Sequence, residues 1–242
     1  MSGHSKWSNI KHKKEKTDAQ KAKVFTKIGK EISMAVKAAG PDPASNSKLR
    51  DLIAKAKANN VPNDNIERTI KKAASADSET YEAITYEGYG PSGVAVIVET
   101  ATDNRNRTSA DLRHYFDKFG GNLGTTGCVS YLFHAAGVII LESEKGEDAV
   151  MEDALEAGAE DINSSDENTY EITTAPEDLS AVREALAALG YDILSAEVDQ
   201  IPANTVTITD EDAMIKMRRL LDALEENEDV QEVYHNLEND LD

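Results

Sequence analysis

The side chains best suited to chemistry in this chain are cationic and aromatic, and they crowd its first thirty residues. Nine lysines fall there (Lys6, Lys11, Lys13, Lys14, Lys16, Lys21, Lys23, Lys27 and Lys30), opposed only by Glu15 and Asp18. Lysines neutralise phosphates and release counterions, and Trp7 offers a face on which an unpaired base can stack. Protonated His4 and His12 add donors to phosphate. Lys6, Trp7, Lys11, His12, Lys13, Lys14, Lys16, Lys21, Lys23 and Lys27 are therefore the candidate nucleic-acid-binding residues of this end. The competing reading is a solvated N-terminal arm without a role. Arg105 and Arg107 join the candidates, as two of only nine cations after residue 75, placed where a strand runs into a helix. They read either as a second anion contact at a helix N-terminus or as arginines paired to neighbouring carboxylates.

Catalytic patterns are not evident. The five histidines (His4, His12, His114, His134 and His235) are scattered, with no H-E-x-x-H and no Cys/His metal spacing. Cys128 is the only cysteine, which excludes an internal disulfide and a cysteine-only metal site and suits a small buried apolar residue. Carboxylates are so numerous that adjacent pairs such as Glu225 and Glu226 carry no signal. The run Gly121–Gly127 lacks the lysine of a P-loop and the spacing of a dinucleotide fold, and reads as a tight connection. The expectation is a protein that is not an enzyme, with no cofactor, no metal and no small-molecule substrate.

The charge splits along the chain. Residues 1–75 carry 17 Lys+Arg against 7 Asp+Glu, a balance of +10; the remainder carries 9 against 38, a balance of −29, and the two sum to −19. A body so acidic repels phosphate, so a grip on nucleic acid belongs to the basic end. No apolar run approaches the roughly 20 residues of a membrane helix, and the charged N-terminus has no apolar stretch behind it as a secretory signal would. The expectation is a cytoplasmic protein without a membrane partner.

The elements that must position these residues follow from periodicity. Val24, Ile28, Ile32 and Val36 at i+4 intervals predict a first helix, begun by Thr17 and Gln20 at capping-box spacing and stopped by Gly40-Pro41. Leu49, Leu52, Ile53 and Ala56 predict a second, capped by Ser45 or Ser47. Ile66 and Ile70 predict a third, capped by Asn63. Strands are expected over Tyr81–Tyr89 and Val94–Thr100, then a helix capped by Asp103 or Asn104, with Leu112, Tyr115, Phe116 and Phe119 inward. A βαββαβ rhythm follows. It comprises strands at Gly137–Glu142, Asp161–Asn163, Thr169–Thr174 and Ile193–Ile201, with helices at Asp148–Ala157 and from Pro176 or Glu177 to Leu189, the ferredoxin-like order. A strand at Thr205–Thr209, a helix at Asp210–Leu224 and a strand at Val230–His235 form a last βαβ half, too small to bury its own sheet. The fold class is α+β: an N-terminal three-helix bundle followed by two small α/β sandwich domains, one ferredoxin-like. The expected domains are 1–77, basic and helical with its arm; 78–128 plus 203–242, a discontinuous middle domain; and 129–202, an inserted ferredoxin-like domain.

Five stretches carry a family resemblance: GHSKWSNIKHKK at 3–14, VFTKIGKEI at 24–32, VPNDNIERTIKKA at 61–73, YEGYGPSGVAVIVE at 86–99, and TDNRNRTSADLRHYFDKFGGNLGTTGCVSYLF at 102–133. Through them the chain resembles the YebC family, bacterial proteins described as transcriptional regulators, with a mitochondrial translational activator of cytochrome c oxidase among their relatives. The resemblance implies three domains around an open cavity and a role in gene expression. Some members resemble DNA-binding transcription regulators. Others resemble ribosome-associated factors that relieve stalling at proline-rich sequences.

The function expected is that of a non-enzymatic nucleic-acid-binding regulator. Its partner is DNA or ribosomal RNA, with the ribosome as one place to meet it. A DNA regulator should show a recognition helix reading base edges, and the third helix offers only Asn65 and Arg68 without helix-turn-helix spacing. A flexible arm with Trp suits folded RNA or single strands equally. The alternative of another class is an acidic protein-binding adaptor.

Overall fold

The computed structural model describes residues 18–75, 78–166 and 168–239. Three helices come first, α1 (Asp18–Ala39), α2 (Ser47–Ala58) and α3 (Asn63–Ala73). Their i, i+3 and i+4 apolar positions converge on one cluster of Ile28, Ile32, Val36, Leu49, Leu52 and Ile66. Neither serine caps α2. Asn46 does, accepting from Leu49 N at 3.0 Å while its amide donates to Ala35 O at 2.9 Å and Gly40 O at 2.8 Å. A hydroxyl has one proton and could not serve both carbonyls, so the buried linker selects asparagine. Asn63 does not cap α3 either. Pro62 holds the cap position with φ −59 and ψ 140, and Asn63 is the first helical residue. Thr17 of the expected capping box lies outside the described residues.

A four-stranded antiparallel sheet follows, in the order β3-β1-β2-β8, where β1 is Glu82–Tyr89, β2 Ala95–Thr102, β3 Asn122–Leu123 and β8 Val230–His235. Strand β2 is apolar on both faces because both are covered. Val96 and Val98 meet α4 (Arg105–Lys118) through Leu112 and Phe116, and α7 (Glu211–Glu226) through Met217, Leu220 and Leu224. Ala95 and Ile97 meet Val129 and Phe133 on the other side. The short β3 was not expected. Gly88 makes room for it, since a Cβ there would stand 2.6 Å from Asn122 O and 2.9 Å from the Phe116 ring.

The strand expected at Thr205–Thr209 does not form. A single parallel bridge joins Val206 to Leu237, and asparagines replace the ladder. Ile208 N donates to Asn239 Oδ1 at 2.7 Å, and Asn236 Nδ2 donates to Asn204 O at 3.2 Å. With the main-chain bonds Val206 N to Asn236 O at 2.7 Å and Glu238 N to Val206 O at 3.0 Å, those side chains satisfy the backbone without a full ladder. The last βαβ half is thus a helix and one strand, and β8 pairs antiparallel with β2.

Residues 134–201 form a second compact unit, described by itself. Its sheet order is β5-β6-β4-β7, with β4 Phe133–Glu142, β5 Asp161–Asp166, β6 Thr169–Thr174 and β7 Asp192–Pro202. Helices α5 (Glu147–Ala157) and α6 (Leu179–Ala188) cover one face through Val150, Ala154, Val182 and Leu186. Sheet and helices stand in the ferredoxin-like arrangement. Pairing persists to Asp166, across a register shift between Ser164 and Asp166, beyond the strand end expected at Asn163.

Candidate nucleic-acid interface

Seven of the expected phosphate-gripping residues (Lys6, Trp7, Lys11, His12, Lys13, Lys14 and Lys16) lie outside the described residues. The rest are on α1 and at the start of α4. Lys21 is exposed in the first turns of α1. Lys23, Lys27, Lys30 and Lys37 follow at i, i+4, i+7 and i+14, one stripe on the side of α1 away from Ile28, Ile32 and Ala35. The first three lysines of the stripe face the far end of the chain. Lys23 Nζ stands 3.7 Å from the Glu226 carboxylate. Lys27 donates to Glu225 O at 3.0 Å. Lys30 donates to Glu228 O at 2.9 Å and to Asp229 Oδ1 at 2.8 Å. Lys37 donates to Ser78 O and to the Thr80 hydroxyl.

Asp229 is the centre of the largest polar network here. Its Oδ2 accepts from Arg107 Nη2 at 2.7 Å, Arg107 Nε at 3.3 Å, Thr108 Oγ1 at 2.8 Å and Thr102 Oγ1 at 3.3 Å. Arg107 reaches Asp103 Oδ1 at 2.8 Å with the same Nη2, so it bridges two carboxylates. Burial alone would raise the Asp229 pKa. The hydrogen bonds from Lys30, Arg107 and Thr108 overcome it and hold the group down to about 2. Lys30 also lies 5.4 Å from the centre of the Tyr81 ring. Tyr81 is pushed up to about 12, first by desolvation and then by its hydrogen bond to Glu79. These groups line a polar cavity of about 480 Å³. Its charged lining is two cations, Lys30 and Arg107, and five carboxylates, those of Glu79, Asp103, Asp111, Glu228 and Asp229.

Arg105 and Arg107 therefore differ. Asn104 caps α4, accepting from Arg107 N at 3.1 Å, which puts Arg105 at the first helical position with its side chain exposed. Arg107 is committed to Asp229 and Asp103. The loop after α4 serves an internal anion too. The Glu87 carboxylate, 3% exposed, accepts from the backbone N–H of Gly127 at 2.7 Å, Val129 at 2.8 Å and Ser130 at 2.8 Å. Burial opposes its ionised form, yet those three bonds carry its pKa below the ordinary value. The end of the Gly121–Gly127 run and the residues just after it thus hold the protein's own carboxylate. Among the described residues no group of three His, Cys, Asp or Glu is placed to hold a metal, and no helix is long and apolar enough to cross a membrane.

Two family descriptions match the chain, "TACO1/YebC protein N-terminal domain" over residues 5–76 and "TACO1/YebC second and third domain" over residues 81–237. The chain belongs to the TACO1/YebC family. A relative from Acetivibrio thermocellus is 61% identical over 239 residues, covering 98% of both chains, and one from Caldicellulosiruptor saccharolyticus is 61% identical over 241 residues, covering 98% of this chain and 99% of its own. Both carry the name probable transcriptional regulatory protein. The crystal structure of a conserved hypothetical protein from Aquifex aeolicus matches at 48% identity and a TM-score of 0.84, over 92% of each chain. The mixed α/β architecture, with helices first and two four-stranded sheets after them, is thus that of a TACO1/YebC protein.

Sequence reasoning overlooked Asp229, Thr102, Thr108 and Tyr81. Lys30 and Lys37 had a usable signal in their spacing with Lys23 and Lys27. Asp229 had none, one acid among forty-five, 199 residues from the lysine it holds.

Proposed function

We propose that this TACO1/YebC protein is a non-enzymatic, nucleic-acid-binding regulator of gene expression that grips phosphate with its basic N-terminal end. The observation that carries the reading is the charge partition, +10 over residues 1–75 against −29 over the rest. The names of its close relatives favour transcription, hence DNA. The described polar groups with shifted pKa values support a non-enzymatic role. Asp229, Glu87 and Tyr81 are each tied to partners within the fold, as structural groups are.

RNA, and through it a ribosomal role in relieving stalling at proline-rich sequences, is the second reading. It is favoured by Trp7, a stacking residue suited to unpaired bases, and by an acidic body that would repel duplex DNA wrapped around it. Crosslinking in cells followed by sequencing of both bound DNA and bound RNA separates the two. In solution, replacing Lys11, Lys13, Lys14 and Lys16 with Ala should weaken binding to all sequences alike. Each lost phosphate contact should flatten the log-affinity against log-salt slope by about 0.7–0.9. An unchanged slope, or a partner protein retained after deletion of residues 1–16 with no nucleic acid bound, would favour the acidic adaptor instead.

A further inference from the structure

We infer that the lysine stripe of α1 is a second phosphate-binding surface, held shut in this form by the C-terminal end of α7. The inference rests on the nucleic-acid reading above and adds its regulation. Helix α7 ends in Glu225-Glu226 and has no basic residue in its last turn. Carboxylates at the negative end of a helix dipole repel its exposed carbonyls, so this end calls for cations from elsewhere. Lys27 meets it at Glu225 O and Lys23 at the Glu226 carboxylate. A carbonyl and a carboxylate presented to a row of lysines offer the hydrogen-bonding chemistry of a phosphodiester backbone.

The joint is made to open at one end. Its inner part is the Lys30–Asp229 pair, with side chains 11% and 6% exposed. Its outer part is exposed, at 43% for Lys23 and 76% for Glu226, where an ion pair is weak and salt-screened. The apolar cluster of α1, α2 and α3 contains no residue of the sheet, and the clusters of the sheet contain none of the helices α1–α3. Among the described residues the two are joined by the lysine contacts given above, and polar unions of this kind permit relative motion. Nucleic acid arriving along the arm reaches Lys21 first, and displacing the α7 end then adds Lys23 and Lys27 to its grip while Lys30–Asp229 remains the pivot.

The test uses the full chain and a labelled single-stranded RNA of mixed sequence. Glu225→Gln/Glu226→Gln removes the carboxylate that holds Lys23 and leaves the backbone carbonyl that Lys27 meets, so it should bind more tightly than the parent, with a salt slope steeper by about 0.7, one phosphate contact. Glu211→Gln/Asp212→Asn, at the other end of α7, removes the same charge without touching the lysines and should change the slope little. Equal behaviour of the two variants overturns the inference while leaving RNA binding intact. In the parent protein, amide exchange at 226–230 should quicken when RNA binds; unchanged or slower exchange with RNA bound also overturns it. Absence of binding by every form removes the RNA reading, and the inference with it.

Discussion

Replacing Asp229 with Asn tests the network that pins α1 to the sheet. The hydrogen bonds of Lys30, Arg107 and Thr108 hold the folded carboxyl down to about 2, below the ordinary aspartate value. That depression is on the order of 2–3 kcal/mol of stability at neutral pH. The amide removes the charge and turns an NH2 toward a site already crowded with donors from Lys30, Arg107, Thr102 and Thr108. Relief is partial. Arg107 is 45% exposed and keeps Asp103, whereas Lys30, at 11%, keeps only carbonyls and the Tyr81 face. We expect a loss of about 3 kcal/mol, at the low end of what a broken buried pair costs. For a unit of this size that is a melting shift of roughly 6–12 °C by circular dichroism. Because the folded pKa lies below the unfolded one, the contribution is complete above about pH 4 and disappears as pH falls through about 2. The parent should therefore lose its advantage over the variant across that window. A loss under about 1 kcal/mol at pH 7, or a difference between the proteins that does not shrink between pH 4 and 2, would refute the assignment.

Glu87→Gln should cost about 2–3 kcal/mol, because three backbone N–H groups lose a charged acceptor, and limited proteolysis should newly cut within 124–130. Asn46→Ala should destabilise by about 2–3 kcal/mol through one lost cap and two orphaned carbonyls, and Asn46→Ser should recover only the cap, both read by urea titration. Burial holds His235 down to about 4 while its Nδ1 accepts from Leu237 N. Its folded pKa is depressed, so stability present above about pH 6.5 should fall by up to about 3 kcal/mol as pH drops toward 4, and His235→Gln should flatten that limb of a pH–stability curve.

What could be read in advance was whatever repeats locally. The i+4 ladder of Val24, Ile28, Ile32 and Val36 placed α1, and the unbroken apolar run after Gly93 placed β2, because each pattern reports burial one element at a time. Caps were read less well. Ser45, Asn46 and Ser47 are all good cap residues, and the choice depends on Ala35 O and Gly40 O, carbonyls whose position only the packed bundle sets. The strand at Thr205–Thr209 had β-branched residues in alternation, yet β-propensity reports a fit to a neighbouring strand, and Asn236 and Asn239 supply hydrogen bonds in its place.

The lysines of α1 show a different limit, since a charge stripe does not announce whether its counter-charge lies within the molecule or outside it. Spacing gave the stripe, and net charge gave a preference for polyanions. Neither distinguishes a phosphate from the carboxylates and carbonyls at 225–229, which present the same hydrogen-bonding chemistry to an ammonium group. One local clue was nevertheless available. Glu225 and Glu226 carry no signal as an adjacent pair in an acidic chain, but at the C-terminal turn of a helix they sit where the dipole disfavours them. A residue that breaks a local rule in a stable fold has its compensation elsewhere, and a surplus of cations at the opposite end of the chain is where to look for it. The joint is reversible for the same physical reason. The compensation is electrostatic and, in its outer half, solvated, so a second polyanion can supply it as well as the first.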